Sequence, residues 1–172
     1  MFLNGKIIRT VFTISCCLVF LSACGYKFAG GGSLPSGVQS VFIKMLKNQT
    51  SEIGVENTFT NDLIYEFTRN SKLAGRNKAD AVLSGVVKSM SVHTISHRGV
   101  STSLERRVVL TLDLKLTDNK GRTIWSKKGI SDNEAYDVNS DKLTTEKNRH
   151  DAIVVLSKRL AEKVYNSLTE NF

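Results

Sequence analysis

The side chains best suited to covalent or ligand chemistry in this 172-residue chain are three cysteines, three histidines and a run of arginines. Cys24 closes the sequence Leu21-Ser22-Ala23-Cys24. Ahead of it stand Lys6 and Arg9 and an apolar run from Val11 to Leu21. That is the layout of a secretory signal, and the apolar run falls short of the roughly 20 residues that span a bilayer. Small residues directly before a cysteine resemble a bacterial lipobox, in which the thiol takes up a diacylglycerol and the chain is cut before the Cys. Residues 1–23 are therefore expected to be a lipoprotein signal peptide and Cys24 the lipid attachment site. Cys16 and Cys17 leave with the signal. No free thiol then remains, which excludes disulfides, thiolate catalysis and cysteine-based metal sites. A single acyl chain holds only marginally, at about 0.8 kcal/mol per buried methylene, so stable attachment needs several. Gly25 in place of Asp after the Cys matches the outer-membrane address of many Gram-negative lipoproteins.

The histidines promise less. His93 and His97 stand four apart on a predicted strand, on one face but ~13 Å apart at ~3.3 Å per residue. One metal ion does not bridge that distance, and His150 lies elsewhere. No HExxH, paired-carboxylate or nucleophile-elbow pattern accompanies them. Gly30-Gly31-Gly32 lacks the spacing of a phosphate loop and precedes the first strand, so it reads as a flexible tether. The expectation is no enzyme activity, no cofactor and no metal.

The arginines carry more. Ser96 to Arg107 reads as a hairpin connection that holds Arg98, Arg106 and Arg107 among small polar residues. Arginine offers a planar fork that grips phosphate through two bonds at once. A second basic cluster, Lys142, Lys147, Arg149 and His150, stands at the start of the last helix. The formal charge of +8, or +6 without Lys6 and Arg9, invites a nucleic-acid partner. A chain tethered at an outer membrane meets none. An anionic amphiphile such as lipopolysaccharide fits that compartment.

The elements that must hold these residues follow from periodicity. Val38 to Leu46 reads as a strand and Lys47 to Gly54 as a loop. Phe59, Leu63 and Phe67, with Val55 a turn earlier, mark an amphipathic helix ending near Asn70 and capped by Asn57 or Thr58. Ala81 to Ile95 is a long strand with both faces partly apolar, and Gly85 suggests a bulge. From Val108 to Thr117, strict alternation gives one apolar face and one polar face of Asp113, Lys115 and Thr117. Asp118-Asn119-Lys120-Gly121 turns the chain into a strand from Thr123 to Ile130, and Ser131 to Asp141 reads as a variable polar connection. A helix from Leu143 to Leu168 closes the chain. The expected fold is α+β, a two-layer sandwich with two helices on one face of a four-stranded mixed sheet. Its domain is expected over residues 38–172, behind an anchor and tether over 24–37.

Several short motifs, in order behind the lipobox, resemble the LPS-assembly lipoprotein family (LptE). They are Cys24-Gly25-Tyr26-x-Phe28, Leu34-Pro35-Ser36, Asn48-x-Thr50, Gly54-Val55-Glu56-Asn57 and Glu66-Phe67. Ala79-Asp80-Ala81-Val82-Leu83-x-Gly85 and Asp118-x-x-Gly121-x-x-Ile124-Trp125 complete the set. The resemblance implies a non-enzymatic lipoprotein that plugs and helps assemble the outer-membrane β-barrel LptD and binds lipopolysaccharide in transit. The family's ligand-binding arginine falls on Arg98. Its second basic position falls on Thr145, with Lys142 and Lys147 nearby. The candidate ligand-binding residues are thus Arg98, Arg106, Arg107 and Lys147. Two other envelope lipoprotein classes share the opening strand–loop–helix order: activators of envelope enzymes and CsgG-like secretion-pore subunits. A bound barrel partner discriminates against both.

Overall fold

The computed structural model describes residues 32–98 and 102–169; the signal segment, the lipobox and Cys24 lie outside them. Alternation in the middle of the chain organises the sheet. In β4 (Thr102–Asp118) every second residue from Val108 to Leu116 is buried, while Val109, Thr111, Asp113, Lys115 and Thr117 point the other way. β3 (Ala81–Arg98) and β5 (Thr123–Asp137) flank it antiparallel. On the far side of β3, β1 (Val41–Ile43) pairs in parallel with Ala81–Leu83, and the two-residue β2 (Lys47–Asn48) with Val86 and Val87. The sheet therefore has five strands, not four.

Two polar segments expected to be loops are strand in part. β3 is 18 residues long, and β1 satisfies only three positions of its outer edge. Regular pairing breaks at Lys44–Leu46, with Leu46 turned into the core, and resumes as β2 against the next stretch. Likewise β5 runs on through Ser131 to Asp137. Its polar composition reflects exposure along the edge of the sheet, and Ile130 and Tyr136 are its buried residues.

The first of the three register irregularities of β3 falls between Val87 and Ser89, not at Gly85. The slip changes which parity faces inward: Ala81, Leu83 and Val87 before it, Met90 opposite Leu110 after it. This is why both faces of the strand looked apolar. Gly85 serves a close approach instead. It stands opposite Leu114, and a Cβ there would collide with the Leu114 side chain and the Asp113 carbonyl.

Helices α1 (Val55–Arg69) and α2 (Lys142–Thr169) cover the apolar face and pack on each other. Val55, Phe59, Leu63 and Phe67 enter the core from α1, and Ile153, Leu156, Leu160, Val164 and Leu168 from α2. The rings of Phe67 and Tyr165 meet edge to face at 5.2 Å. Leu34 is only 2% exposed and belongs to this core, so packing begins within the segment expected to be tether. The α+β two-layer class is as expected, in the order β-β-α-β-β-β-α. No described helix is long and apolar enough to cross a membrane.

The recognised motifs turn out to be joints. α1 begins after Gly54 at φ +85°, with no side-chain cap from Asn57 or Thr58. The Asn48 amide braces that start by donating to the Glu52 carbonyl (2.7 Å) and the Glu56 carboxylate (2.8 Å). Asp80 accepts from the Ser40 hydroxyl and from the N–H groups of Ser40 and Gln39, which lock the entry of β1. Asp118 accepts from the N–H groups of Lys120 and Arg122 at 2.9 Å each, shaping the turn whose Gly121 sits at φ +79°. α2 is tied to β5 by Arg159, which pairs with Asp132 (2.9 Å) and Glu134 (2.6 Å) and also donates to the Asn133 carbonyl. One turn on, Lys163 donates to the Ser131 carbonyl at 2.8 Å.

Candidate functional site

The arginine-bearing region is a ribbon of β3 and β4 paired out to Arg98 opposite Thr102. Two register shifts, between Thr94 and Ser96 and between Ser96 and His97, bend it near its end. Val92 and Ile95 are exposed there. Arg106 and Arg107, expected in the connection, lie within β4. Strand pairing extends several residues beyond the apolar alternation that had marked the start of that strand at Val108.

That placement separates the two arginines. Successive strand residues point to opposite faces. Arg106 stands opposite Thr94 and Tyr136 on the helix-bearing face, half-buried; Arg107 stands opposite His93 and Ala135 on the other face, exposed. They cannot close on one phosphate as a pair. Neither makes an ion pair among the described residues. Arg98 is the last residue of β3. His93 is exposed, its Nε2 2.9 Å from the Ser91 hydroxyl. Among the described residues no group of His, Cys, Asp and Glu is arranged to hold a metal ion.

The first turns of α2 reach the same end of the sheet. The Asn148 amide donates to the Asp137 carbonyl at 3.0 Å, and Asp137 pairs with Glu105, the neighbour of Arg106. Lys147 projects into solvent there and pairs with Asp151 at 2.6 Å. Thr145, on which the resemblance set the family's second basic position, is buried. Its hydroxyl donates to the Asn139 and Asp141 carbonyls at 3.1 Å and accepts from the Asn139 N–H. It closes the helix start and is not presented to a ligand. Asp141 caps that start: its carboxylate accepts from the Thr144 hydroxyl (2.6 Å) and from the Thr144 and Leu143 N–H groups, which hold its pKa below the usual carboxylate range. Arg149, read from sequence as part of a basic cluster, is spent on structure. It bridges Glu52 (2.7 Å) and Glu146 (2.8 Å), and the Glu52 bond foremost raises its pKa further.

A second basic region escaped sequence reading. On the sheet face without helices, Lys44, Lys47, Lys115 and Lys128 surround a cavity of about 380 Å³. Met45, Gly85 and Val86 line it, with the hydroxyl residues Ser84 and Ser126. Only Lys115 had been assigned to an outward face. The other three come from the break in pairing after β1, a two-residue strand and an irregular stretch of β5, none of which shows in periodicity.

A family model described as Lipopolysaccharide-assembly (LptE) matches residues 38–168. No protein of curated function matches. Among solved structures, the chain is similar to lipoprotein B of Nitrosomonas europaea, with a TM-score of 0.59, 15% identity, and 84% of this chain and 90% of that one covered. It is also similar to the rare lipoprotein B of Shewanella oneidensis, with a TM-score of 0.53, 14% identity, and 72% and 92% covered. At these identities the likeness speaks for the fold. The family match takes in both helices and all five strands, and it establishes that the chain belongs to the lipopolysaccharide-assembly (LptE) family.

Proposed function

We propose that this protein is an outer-membrane lipoprotein, held by lipidated Cys24, that seats in the lumen of an LptD-type β-barrel and binds lipopolysaccharide on its way to the cell surface. The observation that carries this reading is the family match over residues 38–168. The lipobox at Leu21–Cys24 and the guanidinium groups of Arg106 and Arg107, which form no ion pair among the described residues, support it. A barrel lumen is polar, and the open sheet face of Thr111, Asp113, Lys115 and Thr117 is a polar surface suited to it. The phosphates of lipid A are the groups that guanidinium forks bind best. Arg98 and Arg106 are assigned the main contact, with Arg107 serving the opposite face and Lys147 a lesser role because Asp151 already occupies it.

The decisive experiment is a pull-down of the tagged protein from outer membranes with identification of the co-purifying barrel. Recovery of a peptidoglycan synthase or a homo-oligomeric ring in its place would overturn the reading. The double variant Arg98→Asp, Arg106→Asp is expected to fold and to lose most binding to purified lipopolysaccharide; undiminished binding refutes the ligand assignment. Cys24→Ala is expected to abolish incorporation of labelled fatty acid.

A further inference from the structure

We propose that the helix-free face of the sheet carries a second anion site, formed by Lys44, Lys47, Lys115 and Lys128, that takes a phosphate ester. Four features on that face point to it. The four ammonium groups come from four places along the chain: the short connection after β1, then β2, β4 and β5. The fold thus gathers charge that the sequence disperses. Among the described residues the only carboxylate lining the cavity is that of Asp113, whose Oδ1 already accepts the Gly129 N–H at 2.8 Å. A formal excess of positive charge remains in a concave surface, where walls of low dielectric focus the field.

The second feature is the lack of internal partners. None of the four lysines forms an ion pair among the described residues, whereas Arg69, Arg122, Arg149 and Arg159 all do. Third, the cavity has the size of a small-ligand site and falls within the roughly 300–1,000 Å³ typical of them. That volume accommodates a phosphorylated head group. Fourth, the lining joins charge to neutral groups: Ser84 and Ser126 offer hydroxyls, and Met45, 56% exposed, offers an apolar wall. Flexible ammonium groups suit a phosphate that is held as a point charge from several sides. The chemistry is that of a phosphate monoester or diester, free or carried on a lipid.

This site lies at Ser84–Val86 and Asp113–Lys115, away from the arginine-bearing end of the β3–β4 ribbon, and does not rest on the proposed lipopolysaccharide contact there. The test uses the full-length lipoprotein in neutral detergent. Glucose 1-phosphate is titrated calorimetrically, and micelles doped with phosphatidylglycerol are compared with micelles doped with phosphatidylcholine. The wild type is expected to bind one of the two phosphate probes, and Lys115→Gln, Lys128→Gln to bind it at least tenfold more weakly. The Arg98→Asp, Arg106→Asp variant is expected to bind it unchanged. Binding of glucose 1-phosphate alone identifies a soluble ester; binding that needs phosphatidylglycerol identifies a lipid head group. The proposal is overturned if neither probe binds, if the lysine variant binds as the wild type does, or if only the arginine variant loses binding.

Discussion

The two faces of this sheet use basic residues in opposite ways. On the helix side, Arg149 and Arg159 are each shared between two carboxylates, and Lys163 and Lys127 reach a β5 carbonyl and the Ser167 hydroxyl. These cations hold α2 to the rest of the fold. On the open side, Lys44, Lys47, Lys115 and Lys128 border a cavity and pair with no acid among the described residues. The same residue types thus serve architecture on one face and remain available on the other. A net positive charge says nothing about binding until each cation is sorted by its partner. Arg149 shows this well: it stood in a basic cluster by sequence and proves to be a strut.

The largest expected effect that tests this contrast lies in the packed layer. Leu110→Ala removes a fully buried side chain from the middle of β4 and is expected to cost about 2–5 kcal/mol in urea unfolding. Lys115→Ala, on the other face of the same strand, is expected to change stability by less than about 0.5 kcal/mol. Comparable losses would mean that the open face is structural too. Next comes Gly85→Val, which pushes a side chain into Leu114 and the Asp113 carbonyl and is expected to cost roughly 1–3 kcal/mol. Arg159→Ala follows. Its side chain is 42% exposed, so water screens its pairs with Asp132 and Glu134, and a loss of about 1 kcal/mol is expected. Lys128→Ala, which breaks no ion pair seen here, should leave the thermal midpoint in place.

The smallest effect is one of pH. The Ser40 hydroxyl, followed by the Gln39 and Ser40 N–H groups, holds the Asp80 pKa below the usual carboxylate range, as Thr144 foremost does for Asp141. A carboxyl with a depressed folded-state pKa stabilises the fold fully above its unfolded value, about 3.9. That contribution is lost as the pH falls through the folded value. The thermal midpoint is therefore expected to drop on acidification below about pH 4, and Asp80→Asn, Asp141→Asn to flatten the drop. An unchanged acid limb in that variant would show that these joints carry no pH-dependent stability.

The fold was legible wherever one periodicity dominated. The alternation of β4 and the 3–4 spacing of Ile153, Leu156, Leu160, Val164 and Leu168 gave the layers and their order. Reading failed where side-chain pattern and backbone pairing part company. β2 is two residues long and exists because β3 has edge left to pair. β5 continues to Asp137 through residues whose polarity reflects exposure, and the parity of β3 changes at register shifts that begin between Val87 and Ser89. The candidate site suffered from the same gap. Arginine content was visible, but the extension of β4 that sends Arg106 and Arg107 to opposite faces was not, and neither was the register that gathers four lysines from separate segments. The family motifs were legible as a signature and silent about role. Asn48 braces a helix start, Asp80 a strand entry and Asp118 a turn.

The contacts of α2 with Ser131 and Asn133 also bear on self-association. β5 is the outermost strand, and an outermost strand normally offers a row of unused carbonyls to any passing chain. Here Lys163 and Arg159 occupy two of those acceptors from the flank, and Gly129 at φ +67° interrupts the strand just before them. The border of the sheet is thereby closed to a foreign strand along this stretch.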